Sequence, residues 1–314
     1  MTNNRIAILA EKSEDRFYDR LLNNLQEAVN ILDPGLNVIF WNASSEQMTG
    51  HSSADVLGKA CLKNVLIDQE DADILPCSKS CPVAEVLENG GVRSFDAYLQ
   101  HKEGHRFPVH MRIIPIKSQD GEIIAAVETF RELSPKVTLP QSKEGLQRMG
   151  LLDPLTSMGN RRYLELHLNS RLEEMKQLGL SFGVLFIDVD GMEDINEAYG
   201  SVVGDKVLKM ISQTLSSSTR FFEVVGRWDS EQFLVVLLNI DLEKLDLVAN
   251  KLRLLAEQSN LREADLFIKT TVSIGATLAK SRDTAASLVE RAEELAEHSK
   301  WLGRNRVSVK LDKD

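Results

Sequence analysis

The eight-residue segment Gly226-Arg-Trp-Asp-Ser-Glu-Gln-Phe233 constrains the fold of this chain more than any other stretch. It is polar and lies between the apolar runs Val224-Val225 and Leu234-Val-Val-Leu-Leu238, which is typical of a β-hairpin turn between buried strands. Upstream, the apolar run Val184-Leu-Phe-Ile187 ends in Asp188-Val-Asp190, so carboxylates stand at the end of a predicted strand. We expect the turn and the strand end to face each other and to form the chemical site.

The length and charge of the chain limit its class. A chain of 314 residues is expected to form about two domains. The formal net charge of −10 argues against binding of DNA through a broad basic surface, although a small basic pocket can still hold the phosphates of a nucleotide.

Several further features predict a cytoplasmic protein without a membrane span. No uncharged run approaches the ~18 residues that a membrane span needs. The apolar stretch after Met1 is too short for a secretory signal. The 3 cysteines do not suggest a disulfide framework, so we expect reduced thiols.

The N-terminal half predicts strands around short helices. Apolar periodicity at 17–32 indicates a helix that leads into a strand, and Asp120-Gly121 is a strong hairpin signal. The remaining predicted elements are strands at 38–41, 95–99, 107–116 and 123–130, a short helix at 42–50, and short helices and loops up to residue 91.

Three motifs in this half carry a family resemblance. They are Val29-Asn-Ile-Leu-Asp-Pro-Gly-Leu-Asn-Val-Ile-Phe-Trp-Asn42, Met48-Thr-Gly50 and Val56-Leu-Gly58. In this order of elements they resemble a PAS sensor domain over residues 17–133. The resemblance implies a five-stranded antiparallel sheet with a helical flank, which holds a small ligand or serves dimerisation. The sequence leaves that ligand unknown.

Cys61, Cys77 and Cys81 could supply three thiolates to a metal ion, or a redox pair. Thiolate metal sites usually have four ligands, and a Cys-x3-Cys spacing is looser than the Cys-x2-Cys of zinc sites. We therefore favour buried cysteines without a redox role, and we keep metal binding or redox sensing as the alternative.

Two prolines and weak apolar periodicity mark residues 134–150 as a linker with a connecting helix. Residues 1–16 form an N-terminal extension, and residues 311–314 form a tail. From 151 to 310 the pattern predicts helices on one face of a mostly antiparallel sheet, an α+β fold of the ferredoxin-like kind. The predicted helices are 163–178, 203–215, 245–255 and 285–302, and the predicted strands beside the hairpin are 182–187 and 268–278.

Motifs spread over this second domain carry a second resemblance. They are Asp153-Pro-Leu-Thr-Ser-Met-Gly-Asn-Arg-Arg162, Phe186-Ile-Asp-Val-Asp190, Thr271-Val-Ser-Ile-Gly275 and Lys300-Trp-Leu-Gly-Arg-Asn-Arg306. Together with the hairpin they resemble the GGDEF family of diguanylate cyclases. The resemblance implies a nucleotidyl-cyclase-like palm domain that joins two GTP into cyclic di-GMP across a homodimer, with Mg²⁺ or Mn²⁺ as cofactor.

The resemblance also implies roles for individual residues, which are of three kinds: ligands of the metal, readers of the guanine edge, and cations on the triphosphate. Singly, each could instead be a helix cap or a turn residue, but their joint spacing favours an inherited nucleotide site. The metal positions are Asp188, Val189 through its backbone, and Glu231, of which Asp188 and Glu231 are also catalytic; the guanine readers are Asn196 and Asp205; the triphosphate cations are Lys300 and Arg304.

Four positions depart from the family pattern. Asp229-Ser230-Glu231-Gln232-Phe233 stands where the family has Gly-Gly, Asp or Glu, Glu and Phe. Glycine permits positive φ and close backbone approach, so Asp229 and Ser230 are expected to fill and strain the turn. Gln232 removes a carboxylate, and Glu193 places a negative charge where the family usually has Lys. We therefore expect a degenerate cyclase site.

Arg220-Phe-Phe-Glu223 occupies the place of the family's inhibitory product-binding motif, Arg-x-x-Asp. Arg220 can still grip a phosphate or stack on guanine, and the longer acid at Glu223 can reach a guanine edge. We expect this site to bind cyclic di-GMP weakly.

Three functions remain open at this point. The leading hypothesis is a PAS and GGDEF signalling protein with a weak or inactive cyclase site, which acts as a nucleotide-responsive regulator. Its partners would be GTP or cyclic di-GMP, a second copy of the chain, and an unidentified protein. The alternatives are an active diguanylate cyclase and a dimerising scaffold that binds no nucleotide.

Overall fold

The computed structural model describes residues 20–60, 66–70, 73–76, 81–133, 143–220, 223–263 and 266–309. The chain divides into two compact units, the first of which ends at Leu133, and each is described by itself. Among the described residues, every helix is too short or too polar to cross a membrane.

The first unit contains a seven-stranded sheet with strand order β2-β1-β7-β6-β5-β3-β4. Its strands are Ala28–Leu32 (β1), Val38–Trp41 (β2), Leu66–Glu70 (β3), Asp73–Pro76 (β4), Arg93–Gln100 (β5), Arg106–Lys117 (β6) and Ile123–Glu132 (β7). Its helices are Ala43–Thr49 (α1), Ser53–Val56 (α2) and Pro82–Asn89 (α3).

Asn42 shows how the sequence sets this unit locally. Its side-chain oxygen accepts hydrogen bonds from the backbone N–H of Ser45 at 2.9 Å and of Val29 at 3.0 Å. The first bond caps α1, because it satisfies an N–H that has no partner within the helix. The second ties the helix to β1, so one buried asparagine fixes both elements.

The expectation of a five-stranded sheet here is wrong, because β3 and β4 extend it beyond β5. Leu66-Ile-Asp-Gln-Glu70 and Asp73-Ile-Leu-Pro76 are short and lack an alternating apolar pattern. Their strand conformation depends on backbone pairing to the edge of β5, which a sequence pattern does not reveal.

The second unit contains a five-stranded sheet with order β14-β13-β8-β10-β9 and a separate pair, β11-β12. Its strands are Phe182–Val189 (β8), Val224–Asp229 (β9), Gln232–Leu238 (β10), Asn260–Glu263 (β11), Leu266–Lys269 (β12), Val272–Leu278 (β13) and Val307–Val309 (β14). Its helices are Lys143–Arg148 (α4), Arg161–Leu178 (α5), Met192–Tyr199 (α6), Ser201–Ser218 (α7), Leu242–Gln258 (α8) and Ala285–Trp301 (α9).

Helices cover both faces of this sheet, so the expectation of helices on one face is wrong. Every residue of β8 is buried. Leu185 and Ile187 pack in one apolar cluster with residues of α7 and α8, whereas Val184 and Phe186 pack in another with residues of α5 and α9. A continuous apolar run is typical of a strand buried on both sides, and it holds Asp188 rigidly at its end.

The strand predicted at 268–278 is two strands. β12 pairs with β11, and β13 pairs with β8. Between them, the Thr270 hydroxyl donates to the backbone oxygen of Asp190 at 2.6 Å. Thr270 therefore attaches the break between the two strands to the loop after β8.

Gly275 lets α9 approach β13 closely. A Cβ at Gly275 would lie 1.9 Å from the backbone oxygen of Ala292 and 2.4 Å from the backbone nitrogen of Ala296. We expect Gly275→Ala to lower the free energy of unfolding of this unit by about 1–3 kcal/mol, because α9 must move away from the sheet. Chemical denaturation checks this, with Gly91→Ala as control because no atom lies within 4 Å there; equal stability of the two variants would contradict the prediction.

Candidate functional site

The predicted hairpin is confirmed, and it closes on the end of β8. β9 and β10 are joined by Ser230 and Glu231, and Gln232 lies opposite Asp188 in the pairing of β10 with β8. The backbone N–H of Val189 donates to the backbone oxygen of Glu231 at 3.2 Å. The carboxylate-bearing residues Asp188 and Glu231 are thereby brought to the same edge of the sheet.

Arg227 on β9 stabilises the turn through its side chain. Its Nε donates to the backbone oxygen of Ser230 at 2.9 Å, and its Nη1 lies 3.2 Å from Asp153 Oδ1. Burial alone raises the pKa of Asp153, but hydrogen bonds from Thr156 and the Arg227 guanidinium offset this and hold the pKa below its ordinary value. Sequence reasoning missed this ion pair, although the conspicuous Asp153-Pro-Leu-Thr motif and an arginine just before the turn were visible signals.

The turn does not require glycine for its backbone conformation. Asp229, Ser230 and Glu231 all have φ outside the positive range, and Asp229 Oδ1 accepts a hydrogen bond from the Ser230 N–H at 2.8 Å. The expectation that losing both glycines strains this turn is therefore wrong. What Asp229 changes at this exposed position is charge and volume.

Asp188 is buried, and it is bound by one cationic and one neutral neighbour. Lys300 Nζ lies 2.6 Å from its Oδ1, and Gln232 Nε2 donates to its Oδ2 at 3.2 Å. The oxygen atoms of Asp188, of Glu231 and of the Val189 backbone are the kind of donor that Mg²⁺ and Mn²⁺ prefer. The donor set fits a divalent cation, provided that Lys300 moves off Asp188.

Asp190 has a different role from Asp188. Its carboxylate accepts hydrogen bonds from the hydroxyls of Thr271 at 2.6 Å and Ser273 at 2.8 Å, and from the backbone N–H of Asn305 at 3.2 Å. These donors occupy both oxygens of a buried group. Asp190 therefore links β8, β13 and the loop after α9, and its role is structural.

The loop after α9 presents Arg304 to solvent in a strained conformation. Arg304 and Asn305 have φ of 61° and 47°, which is uncommon for residues other than glycine. Asn305 is held by Asp190 and by Arg253, whose Nη1 donates to its side-chain oxygen at 2.8 Å. These bonds offset the strain and fix the direction in which Arg304 leaves the loop.

Asn196 and Asp205 lie on the consecutive helices α6 and α7, and both are exposed. Gly200 ends the first helix and begins the second. The Asn196 side chain lies against Gly204, where a Cβ would come within 1.9 Å of its oxygen. The missing side chain at Gly204 therefore leaves room for Asn196 against the turn of α7 that carries Asp205.

Glu193 is exposed in the first turn of α6. There its charge interacts favourably with the helix dipole. This local stabilisation explains how the fold accommodates an acid at this position, and it is independent of any nucleotide.

Further acidic groups surround the turn. A cavity of about 570 Å³ lies between α5, the hairpin and α9, and its lining includes Asp229, Glu290 and Glu293. Burial raises the pKa of Glu293, and the negative charges of Glu297 and Asp188 raise it further. Sequence reasoning did not single out Glu290 or Glu293, because the helical pattern of α9 makes them ordinary surface positions. Their charges make the site more negative.

Arg220 and Glu223 lie at the opposite end of β9 from the turn. The Glu223 carboxylate accepts a hydrogen bond from the Arg220 backbone N–H at 2.8 Å. Burial raises the pKa of Glu223. The acid of the expected inhibitory motif is thus partly engaged within its own loop.

Of the three cysteines, Cys81 lies at the N-cap position of α3 and is half-buried. Cys61 and Cys77 lie outside the described residues. A metal or redox site built from all three thiols therefore stays a prediction.

Comparison with known proteins identifies both halves of the chain. A family model described as the GGDEF domain of diguanylate cyclases matches residues 151–306, and a PAS domain model matches residues 26–135. The PAS match agrees with the resemblance drawn from the motifs at Val29 and Met48, and the GGDEF match agrees with the resemblance drawn from the hairpin.

Individual relatives are more distant. The probable diguanylate cyclase DgcE of Escherichia coli is 24% identical over 292 residues, which are 92% of this chain and 26% of DgcE. The response regulator PleD of Caulobacter vibrioides is 27% identical over 270 residues, which are 76% of this chain and 59% of PleD. The chain therefore spans about a quarter of the length of DgcE and less than two thirds of the length of PleD.

Among solved structures, the diguanylate cyclase SiaD of Pseudomonas aeruginosa, crystallised with its activator SiaC, is 28% identical with a TM-score of 0.51. The similar region covers 53% of this chain and 64% of SiaD. The chain belongs to the GGDEF family of diguanylate cyclases, and it carries a PAS domain ahead of its GGDEF domain.

Proposed function

We propose that this chain acts in cyclic di-GMP signalling as a nucleotide-responsive regulator whose GGDEF site binds guanine nucleotide but forms little or no cyclic di-GMP. The observation that carries this proposal is the hydrogen bond from Gln232 Nε2 to Asp188 Oδ2 at 3.2 Å. An amide donor occupies the place of a second carboxylate, and Lys300 takes the other oxygen of Asp188. Glu231 is then the acid of the turn that we expect to help Asp188 hold a cation, and Asp229, two residues earlier, adds a further negative charge.

The nucleotide would be held by side chains on three elements. Asn196 on α6 and Asp205 on α7 are exposed and present hydrogen-bonding groups suited to a guanine edge. Lys300 and Arg304, at and after the end of α9, supply positive charge for a triphosphate. A second copy of the chain would bring the second GTP, so the proposal includes a homodimer.

Electrostatics disfavours turnover in this arrangement. A divalent cation held by Asp188, Glu231 and the Val189 carbonyl would neutralise phosphate charge and polarise a phosphoryl oxygen. Glu193 and Asp229 oppose the binding of the triphosphate through charge repulsion. The repulsion between two unit charges about 4 Å apart is about 1 kcal/mol in water and about 4 kcal/mol near a protein surface. Every ~1.4 kcal/mol is a tenfold change in rate or affinity.

The full chain should be incubated with GTP and Mg²⁺ or Mn²⁺ while cyclic di-GMP is measured, and its binding of GTP and cyclic di-GMP should be measured by calorimetry. Binding without product supports the proposal. Robust product that disappears in Asp188→Ala overturns it in favour of an active cyclase. If the chain neither binds nucleotide nor forms product, the proposal is overturned in favour of a dimerising scaffold.

The active cyclase is the second candidate, and the closure of the hairpin favours it. The turn forms without positive φ and places Glu231 next to the end of β8. The acidic signature residue is thus supported by the backbone despite the two missing glycines.

Gly204→Ala should separate nucleotide recognition from stability. The new methyl group would displace the Asn196 side chain, whose oxygen lies 1.9 Å from the Cβ position. The loss of the proposed hydrogen bonds between Asn196 and the guanine edge is expected to weaken GTP binding about tenfold. Stability should stay equal or rise by up to about 1 kcal/mol, because alanine favours the helix. Calorimetry and thermal unfolding check the two effects. If affinity does not change, Asn196 does not read the base.

A further inference from the structure

Glu128 is a carboxyl group in the apolar interior of the PAS domain. It lies on β7 between the inward residues Ala126 and Phe130, and it is 2% exposed. Burying an ionised carboxylate in such surroundings is costly unless partners compensate for the lost water. The partners of Glu128 therefore decide which protonation state the fold accepts.

Its partner is Asn30, which lies directly opposite on β1. Asn30 is 6% exposed, and its Nδ2 donates to Glu128 Oε2 at 2.8 Å. The remaining oxygens, Glu128 Oε1 and Asn30 Oδ1, are both buried and have no hydrogen-bond partner. Two acceptors without a donor are unfavourable in a protein interior.

One proton resolves this arrangement. A protonated Glu128 carries an O–H donor, and Asn30 Oδ1 is an acceptor on the facing side chain. With the existing N–H bond, the O–H bond completes the two-bond ring that a carboxylic acid forms with a primary amide. The neutral form satisfies both orphaned oxygens, whereas the ionised form satisfies neither.

The surroundings also favour the neutral form. Burial raises the pKa of Glu128, the hydrogen bond from Asn30 opposes this, and the nearby Cys81 raises the pKa as well, so that the pKa is about 7. Cys81 begins α3, which packs against β7, and the residue opposite Glu128 on β6 is the apolar Ile113. Among these facing groups, only Cys81 can itself titrate.

We propose that Glu128 and Asn30 form a proton-binding switch in the PAS core. In the protonated pair two side-chain hydrogen bonds link β1 to β7, and ionisation removes the O–H bond and leaves Glu128 Oε1 and Asn30 Oδ1 without a donor. The change reaches β2, because Asn30 also lies opposite Trp41, and Trp41 contacts Phe130 with ring centroids 6.2 Å apart. The fluorescence of Trp41 should therefore respond to the protonation of Glu128.

The direction in which pH changes the stability of the PAS domain follows from the raised pKa of Glu128. The native state holds the proton more tightly than the unfolded state, whose carboxyl has a pKa near the ordinary 4.5. The stabilisation is fully present below that ordinary pKa and is lost as the pH rises through about 7. The PAS domain is expected to be loosened on the alkaline side.

Infrared spectroscopy of the full chain tests the proposal. The carbonyl band of a buried protonated carboxyl should be present near pH 5 and disappear with a midpoint of about 7. Glu128→Gln should lack the band, and Glu122→Gln, which alters an exposed acid just before the same strand, should retain it. A chain that shows no such band near pH 5, or an identical band in Glu128→Gln, overturns the proposal. The measurement on the unmodified chain decides even if Glu128→Gln fails to fold.

Fluorescence supplies a second readout. In a Trp228→Phe and Trp301→Phe background, Trp41 emission should titrate with the same midpoint, and the titration should vanish when Glu128→Gln is added. A titration that persists in Glu128→Gln would mean that another group drives the change. Neither measurement depends on the cyclase site, so the result stands apart from the proposed function.

Discussion

Replacing Glu193 with Lys and Gln232 with Glu in the same chain should raise the rate of cyclic di-GMP formation by about one to three orders of magnitude. Gln232→Glu changes the amide that donates to Asp188 at 3.2 Å into a second carboxylate, and this strengthens cation binding. Glu193→Lys reverses a charge in the first turn of α6 and replaces repulsion of phosphate with attraction. Product formation from GTP in the presence of Mg²⁺ or Mn²⁺ is the measurement.

The turn itself offers a sharper version of this test. Because Asp229 and Ser230 do not have positive φ, their effect should come from charge and volume. Asp229→Asn, which removes only the charge, is therefore expected to give most of the gain that Asp229→Gly gives. A gain seen only with glycine would show that backbone freedom matters after all.

Matched controls distinguish an effect of the substitutions on the cyclase site from a general effect of protein charge on the rate. Glu243 also lies in the first turn of a helix and is exposed, so Glu243→Lys should leave the rate unchanged. Adding Asp188→Ala to the activated variant should abolish product. If the double variant forms no more product than the original chain, Glu193 and Gln232 are not what limits turnover.

Lys300→Met should weaken GTP binding by at least about tenfold and create a response to metal that the original chain lacks. Lys300 Nζ lies 2.6 Å from Asp188 Oδ1, so the ammonium occupies the charge position that a cation would otherwise take. Removing it leaves a buried carboxylate with only the Gln232 amide. That loss should cost about 1–3 kcal/mol of stability, less than for a fully buried pair because Lys300 is partly exposed.

Thermal unfolding with and without Mn²⁺, in the absence of nucleotide, checks the metal response. Lys300→Met should gain several degrees from the ion, whereas the original chain should gain little. Lys176→Met is the control, since Lys176 also lies in the last turn of a helix. Equal gains in all three proteins would mean that Lys300 does not compete with the cation.

Much of the fold could be predicted because apolar periodicity is a local signal. α5, α9, β8 and the hairpin each follow from repeated apolar spacing within one segment. β3, β4 and β11 could not be predicted, because short polar strands form only when a neighbouring edge supplies hydrogen bonds. The expectation of helices on one face of the second sheet overlooked a signal, because the apolar run Val184-Leu-Phe-Ile187 within the fully buried β8 is typical of a strand covered on both sides.

The candidate site divides in the same way. Asp188, Glu231, Asn196, Asp205, Lys300 and Arg304 could be selected from motif spacing, and their roles stay predictions. Sequence reasoning did not connect Arg227 with Asp153, because the two residues lie 74 positions apart in the chain. It also placed too much weight on the glycines, because the conformation of a turn depends on how its two strands pair.

By itself, the sequence determined the order of the two domains, their families and the charged substitutions around the turn. Only the tertiary structure showed which donors bind each of the two similar carboxylates at the end of β8. Asp190 is bound by Thr271, 81 residues later in the chain, and Asp188 by Lys300 and Gln232. The physical reason is that a carboxylate's role depends on the donors within about 3 Å of it, and strand register brings those donors from distant parts of the chain.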